Sequence, residues 1–141
     1  MKNTWGRLSA LVAVALLTLL LTPAASASAR ECSNANLKGA YSVVLSGVVG
    51  GLPFSALDLA TSDGAGNLSG SGTVAFNGAV VPVTFTATYT VNADCSGTAA
   101  FDNGATENFV VIGGGREIML IKTDNPSAVV TGSGKSLNRA D

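Results

Sequence analysis

Asn77 to Gly97 reads NGAVVPVTFTATYTVNADCSG, and from Val83 onward it alternates without a break. Val83, Phe85, Ala87, Tyr89 and Val91 fall on one side, and Thr84, Thr86, Thr88 and Thr90 on the other. Successive side chains of a strand point to opposite faces, so this is a long strand with one apolar and one hydroxyl-bearing face. β-Branched and aromatic residues fill it, and these fit a pleated, half-buried surface. Asn77-Gly78 opens it with the dipeptide that best tolerates the two positive φ angles of a type I′ hairpin turn. The run from Asn92 to Gly97 closes it with a second turn, which carries Cys95.

The same pattern continues on both sides. Upstream, Gly39 to Gly50 sets Tyr41, Val43 and Leu45 against Ser42, Val44 and Ser46. Pro53 to Thr61 has Leu57 and Leu59 on one face and Phe54, Ala56 and Asp58 on the other. Leu68 to Phe76 carries Gly70 and Gly72 on its apolar face, which implies bending or close approach of another backbone. Downstream, strands are expected at Thr98 to Asp102, Thr106 to Ile112, Arg116 to Thr123 and Ala128 to Leu137. Between them lie clusters of Gly, Asn, Asp, Ser and Pro, the residues of tight turns. Ser33 to Lys38 reads as a lead-in, and no ten-residue stretch after it shows a helical apolar period.

Eight strands joined by short turns form a meander, which must close on itself or fold into two packed sheets. Closure is the better reading, because pairing the first strand with the last removes both exposed edges. The fold expected is therefore all-β, a single eight-stranded antiparallel up-and-down barrel. The alternative, a β-sandwich, needs a long crossover connection that is not visible.

The N-terminal segment has a different character. Lys2 and Arg7 precede an uncharged run from Leu8 to Ala29, broken by Pro23 and ending in Ala27-Ser28-Ala29. Positive start, apolar core and small-residue site together make a secretory signal peptide. The apolar core, Leu8 to Leu21, is shorter than the roughly 20 residues a membrane span needs. Residues 1–29 are thus expected as the signal peptide and 30–141 as the barrel domain, with no membrane span after cleavage and a secreted or extracytoplasmic location. Removing 29 residues from 141 leaves 112, enough for one domain.

That remainder holds six basic and nine acidic residues, a net charge of −3, with no basic stripe. This argues against nucleic-acid binding. Cys32 and Cys95 are the only cysteines, and in an oxidising compartment they are expected to pair. Two cysteines with no histidine anywhere give too few soft ligands for a metal site. The missing histidine also excludes Ser-His-Asp and Cys-His catalysis. No cofactor is expected.

Three other motifs carry little chemistry. Gly132 to Ser136, GSGKS, lacks the upstream glycine of a phosphate loop, since Val129 stands there. Gly113-Gly114-Gly115-Arg116 reads as a hairpin turn beside a surface charge, or as an anion-binding nest. Asn67-Leu68-Ser69 fits a glycosylation sequon.

Charges inside strands are more informative. Asp58 shares a face with Phe54 and Ala56, Glu107 with Phe109 and Val111, and Lys122 with Ile118 and Leu120. Either these are lumen charges with perturbed pKa values, or they face water or lie at strand ends.

Gly39-Ala40-Tyr41 opening a strand, DGAGNLSG from Asp63 to Gly70, and YTVNADCSG from Tyr89 to Gly97 resemble a group of small secreted bacterial proteins. These are similar to the eight-stranded barrels of the lipocalin and allene oxide cyclase class. The resemblance implies a barrel that binds an apolar small molecule, or a cyclase that shapes a reactive substrate. Barrel cyclases and biotin-type binders commonly line the lumen with tryptophan; here the only tryptophan, Trp5, lies in the signal segment. No catalytic residue is carried over.

The inward face is expected to hold Tyr41, Val43, Phe76, Phe85, Tyr89 and Phe101 as ligand-facing candidates, with Val74, Val83, Ala87 and Val91. The small residues Ala56, Gly70, Gly72, Ala87 and Ala99 imply a mostly apolar cavity open at one end. Three functional readings remain: a non-enzymatic binder of a small apolar molecule, a barrel cyclase or isomerase using Tyr41, Tyr89 and a buried carboxylate, and a packed structural or surface-interaction module. The first is favoured.

Overall fold

Eight strands follow one another in the computed structural model, which describes residues 31–138. They are β1 (Gly39–Val49), β2 (Leu52–Ser62), β3 (Asn67–Phe76), β4 (Ala79–Val91), β5 (Ser96–Phe101), β6 (Thr106–Ile112), β7 (Glu117–Lys122) and β8 (Ala128–Ser136). The segment read as a signal peptide, 1–29, lies outside the described residues. Each strand pairs antiparallel with the next, and β1 pairs with β8, so the sheet is a closed up-and-down barrel. The seam runs from Tyr41 opposite Ser136 to Val49 opposite Ala128. Closure gives every strand a neighbour on both sides, so neither the first nor the last strand is left as an open edge.

The turns set the register. Asn77 and Gly78, both at positive φ (49° and 85°), join Phe76 directly to its partner Ala79. Gly50-Gly51 does the same between Val49 and Leu52. Directly opposed residues share a face, so β1, whose Tyr41, Val43 and Leu45 are buried, dictates the face of β2. Tyr41 meets Ala60, Val43 meets Asp58, and Leu45 meets Ala56. The larger side chains Leu57 and Leu59 are consequently turned outward, 62 % and 51 % exposed.

The lead-in is a short 3-10 segment, Asn34–Leu37, which plugs one end of the barrel. Its Leu37 is buried in the core cluster. The plug is fixed by polar contacts and one covalent bond. Cys32 is bonded to Cys95, and the Cys32 amide donates to the Ala93 carbonyl at 3.1 Å. Asn34 Oδ1 accepts from the Val91 amide at 2.7 Å, and Asn34 Nδ2 donates to the Ala65 carbonyl at 3.3 Å. Buried Tyr41, Tyr89, Val91, Phe109 and Val111 pack behind it. At the other end, Phe54, Val83, Phe85 and Phe101 are only half-buried, which marks that end as the mouth.

Candidate functional site

The barrel encloses a cavity of about 300 Å³. Its wall is built from the alternate residues of the strands. Small side chains leave the space: Ala56 and Ala60 of β2 and Ala99 of β5 line it, and β3 contributes two glycines to the same face. A Cβ on Gly72 would overlap the Asp58 carboxylate and the Leu57 carbonyl, and one on Gly70 would overlap the Phe85 ring. These glycines therefore make room for side chains reaching in from neighbouring strands. On the β4–β5 side, Phe85 and Phe101 meet edge to face with ring centroids 5.8 Å apart, a favoured aromatic geometry.

Of the residues expected to face a ligand, Tyr41, Val43, Phe85, Tyr89 and Phe101 all line the cavity. Phe76 stands apart: it is 37 % exposed at the tip of the β3–β4 hairpin and is not part of the wall. The strand runs on past the rim there, so alternation continues where there is no longer an interior to face. The wall also includes Leu37, Ile118, Leu120 and, at the mouth, Asn103 and Ala105. Leu37 was not legible as a wall residue, since nothing in a lead-in says that it folds under a barrel; the only signal was the cysteine beside it.

The two tyrosines belong to the closed end. Tyr41 Oη donates to the Gly115 carbonyl at 2.6 Å, tying β1 to the β6–β7 turn. Tyr89 Oη accepts from Ser62 Oγ at 2.7 Å and donates to the Asn34 carbonyl at 3.2 Å. Both hydroxyls thus hold the plug and its surroundings. The Gly113–Gly115 turn is structural by the same evidence, because Gly115 N donates to the Ile112 carbonyl at 3.1 Å while its carbonyl receives Tyr41. The GSGKS run is part of β8, paired on both sides. Asn67 of the sequon opens β3 and donates its side-chain amide to Asp63.

The three strand charges all line the lumen. β2 and β6 are four strands apart in a ring of eight, so Asp58 and Glu107 stand on opposite walls. Asp58 Oδ1 is buried with no hydrogen-bond partner, and loss of hydration raises the pKa of this carboxyl. Glu107 is 8 % exposed, and its carboxyl makes no hydrogen bond to a described residue. Burial pushes Glu107 up to about 7; Lys122 opposes this, while the charges of Asp58 and Asp124 add to it. Lys122 is directly opposite Glu107 in the β6–β7 ladder, yet its ammonium reaches toward the mouth, 3.5 Å from Asp124 Oδ1. The site is an apolar chamber with two acids facing one another across it and a lysine at its rim.

Among the described residues no group of three or more His, Cys, Asp and Glu side chains is arranged to hold a metal ion, and no helix is long and apolar enough to cross a membrane. No family model, curated protein or solved structure matches this chain.

Proposed function

We propose that this protein is an extracytoplasmic barrel that binds a small, predominantly apolar molecule in its lumen. The observation that carries the reading is the chamber itself: about 300 Å³, closed at one end by a covalently pinned plug and lined mainly by aliphatic and aromatic side chains. This lies at the lower end of the volumes of small-molecule sites, which are concave, largely apolar and pre-formed. A packed structural module would fill that space, since interiors reach crystal-like density. The disulfide supports an oxidising compartment, in keeping with residues 1–29 as an export signal. The cyclase reading gains less support, because the hydroxyls of Tyr41 and Tyr89 are already engaged at the closed end.

The test uses N-phenyl-1-naphthylamine, a neutral probe that fluoresces in apolar surroundings. Wild-type protein is expected to bind it saturably. Phe85→Trp, which places a larger ring in the chamber, should weaken that binding while leaving stability nearly unchanged. Overpacking a filled core costs about 1–3 kcal/mol, so a strongly destabilised Phe85→Trp variant together with a wild type that binds no probe overturns the reading.

A further inference from the structure

The lumen carries more acid than a purely apolar ligand can use. The charged residues lining it are Asp58, Glu107 and Lys122, and Lys122 is already drawn to Asp124 at the rim. Lys122 still acts on Glu107 through space, but among the described residues neither lumen carboxyl forms an ion pair. Asp58 Oδ1 is buried with no partner, and Glu107, more than nine-tenths buried, aims into the same space without a hydrogen bond. Buried polar groups are nearly always satisfied, and an unsatisfied one costs a substantial part of its hydration. Two carboxyl groups on the wall of one chamber, one of them with an oxygen that has no partner, offer acceptors to a donor held in that chamber.

We propose that the lumen selects a lipophilic amine, a molecule whose apolar body fills the chamber and whose ammonium group sits between Asp58 and Glu107. This rests on the binding reading above and names the ligand class. An ammonium offers three donors and a positive charge, so it can hydrogen-bond a lumen carboxylate and compensate its charge. A hydroxyl offers a single donor and no charge. A carboxylate ligand would add a third negative charge to the chamber and is rejected. Glycine at position 72 fits the same picture, since any Cβ there would displace the Asp58 carboxylate from its place against the wall.

Amine binding should also depend on pH in a defined direction. The charged groups acting on Glu107 are Lys122 from β7, Asp58 from β2 and Asp124 from the turn after β7, while its neighbour on β5 is the uncharged Ala99. Raising the pH ionises Glu107 and improves the site for a cation.

The experiment is displacement of bound N-phenyl-1-naphthylamine by n-octylamine, n-octanol and octanoate, at about pH 6 and about pH 8.5. The amine, protonated at both values, should displace the probe at a concentration about tenfold or more below that of the alcohol at the higher pH, the scale of one charge-assisted hydrogen bond. Its advantage should shrink at the lower pH, and octanoate should be the weakest. Glu107→Gln and Asp58→Asn should each reduce the ratio of n-octylamine to n-octanol affinity, read by titration calorimetry, with far-UV circular dichroism and the urea midpoint as the controls for folding. Equal displacement by amine and alcohol, or an unchanged preference in both variants, overturns the proposal and leaves the apolar-binding reading standing. Failure of the wild type to bind the probe at all overturns that underlying reading instead.

Discussion

At the scale of single residues, Glu107 concentrates the electrostatic cost of this fold. Its ordinary value of 4.5 is raised to about 7 chiefly by burial. A carboxyl whose folded pKa lies above its unfolded one holds its proton longer in the native state, so stability falls as pH rises between the two values. The interval corresponds to about 3 kcal/mol, absent below 4.5 and fully felt above about 7. Glu107→Gln, neutral at every pH, should match the wild type near the lower bound and exceed it in urea midpoint above the upper one. Parallel stability curves for the two proteins would show that the wild-type carboxylate finds compensation the structure does not contain. Asp58 is raised in the same direction and for the same reason. Asp63 works oppositely: exposed in the β2–β3 turn, it accepts hydrogen bonds from Asn67, Ala65 and Gly66, which hold it down to about 2. Its contribution is lost only as pH falls through about 2, outside the Glu107 window.

At the scale of elements, the 3-10 plug depends on contacts that a four-residue segment could not sustain alone. Its covalent tether joins residues separated by 63 positions, a loop whose closure removes about 4 kcal/mol of unfolded-chain entropy, as an upper estimate. Cys32→Ser combined with Cys95→Ser should therefore lower unfolding free energy by up to about that amount. It should also raise amide exchange at Val91, whose N–H is held by Asn34. Unchanged exchange at Val91 would mean that the polar contacts of Asn34 suffice. The β1–β2 hairpin makes a related point about register. Gly50-Gly51 joins Val49 directly to its partner Leu52, and that alone fixes Val43 opposite Asp58. A register shifted by one residue would bury Leu57 and Leu59 instead, exchanging an acid-bearing wall for a greasy one.

At the scale of the whole molecule, barrel closure through β1 and β8 unites the fold. Val130, at the seam, is the most completely buried side chain described, with 0 % exposure. The two outermost strands in sequence should therefore exchange their ladder amides as slowly as the central ones, in native-state hydrogen exchange. Fast exchange along 129–135 with protection confined to β2–β7 would indicate an open sheet. A closed barrel also explains how the molecule tolerates an incompletely filled interior: the ladders that run from β1 round to β8 hold the wall, so the cavity costs packing contacts among side chains.

The sequence by itself determined the barrel and its seam. Unbroken alternation from Val83 to Val91, turn dipeptides such as Asn77-Gly78, and the absence of a long connection leave closure as the economical way to hide two edges. The Cys32–Cys95 bond was legible from parity and compartment, and most of the aromatic wall from alternation alone. What tertiary structure decided was which face of an ambiguous strand turns inward. In β2 local hydrophobicity favours burying Leu57 and Leu59, and only pairing with β1 across a two-residue turn overrides it and carries Asp58 into the lumen. Equally, only the ring places β2 opposite β6, so that Asp58 and Glu107, 49 residues apart in the chain, face one another. Alternation is a property of one strand, whereas the meeting of two carboxyl groups across a chamber is a property of the closed sheet.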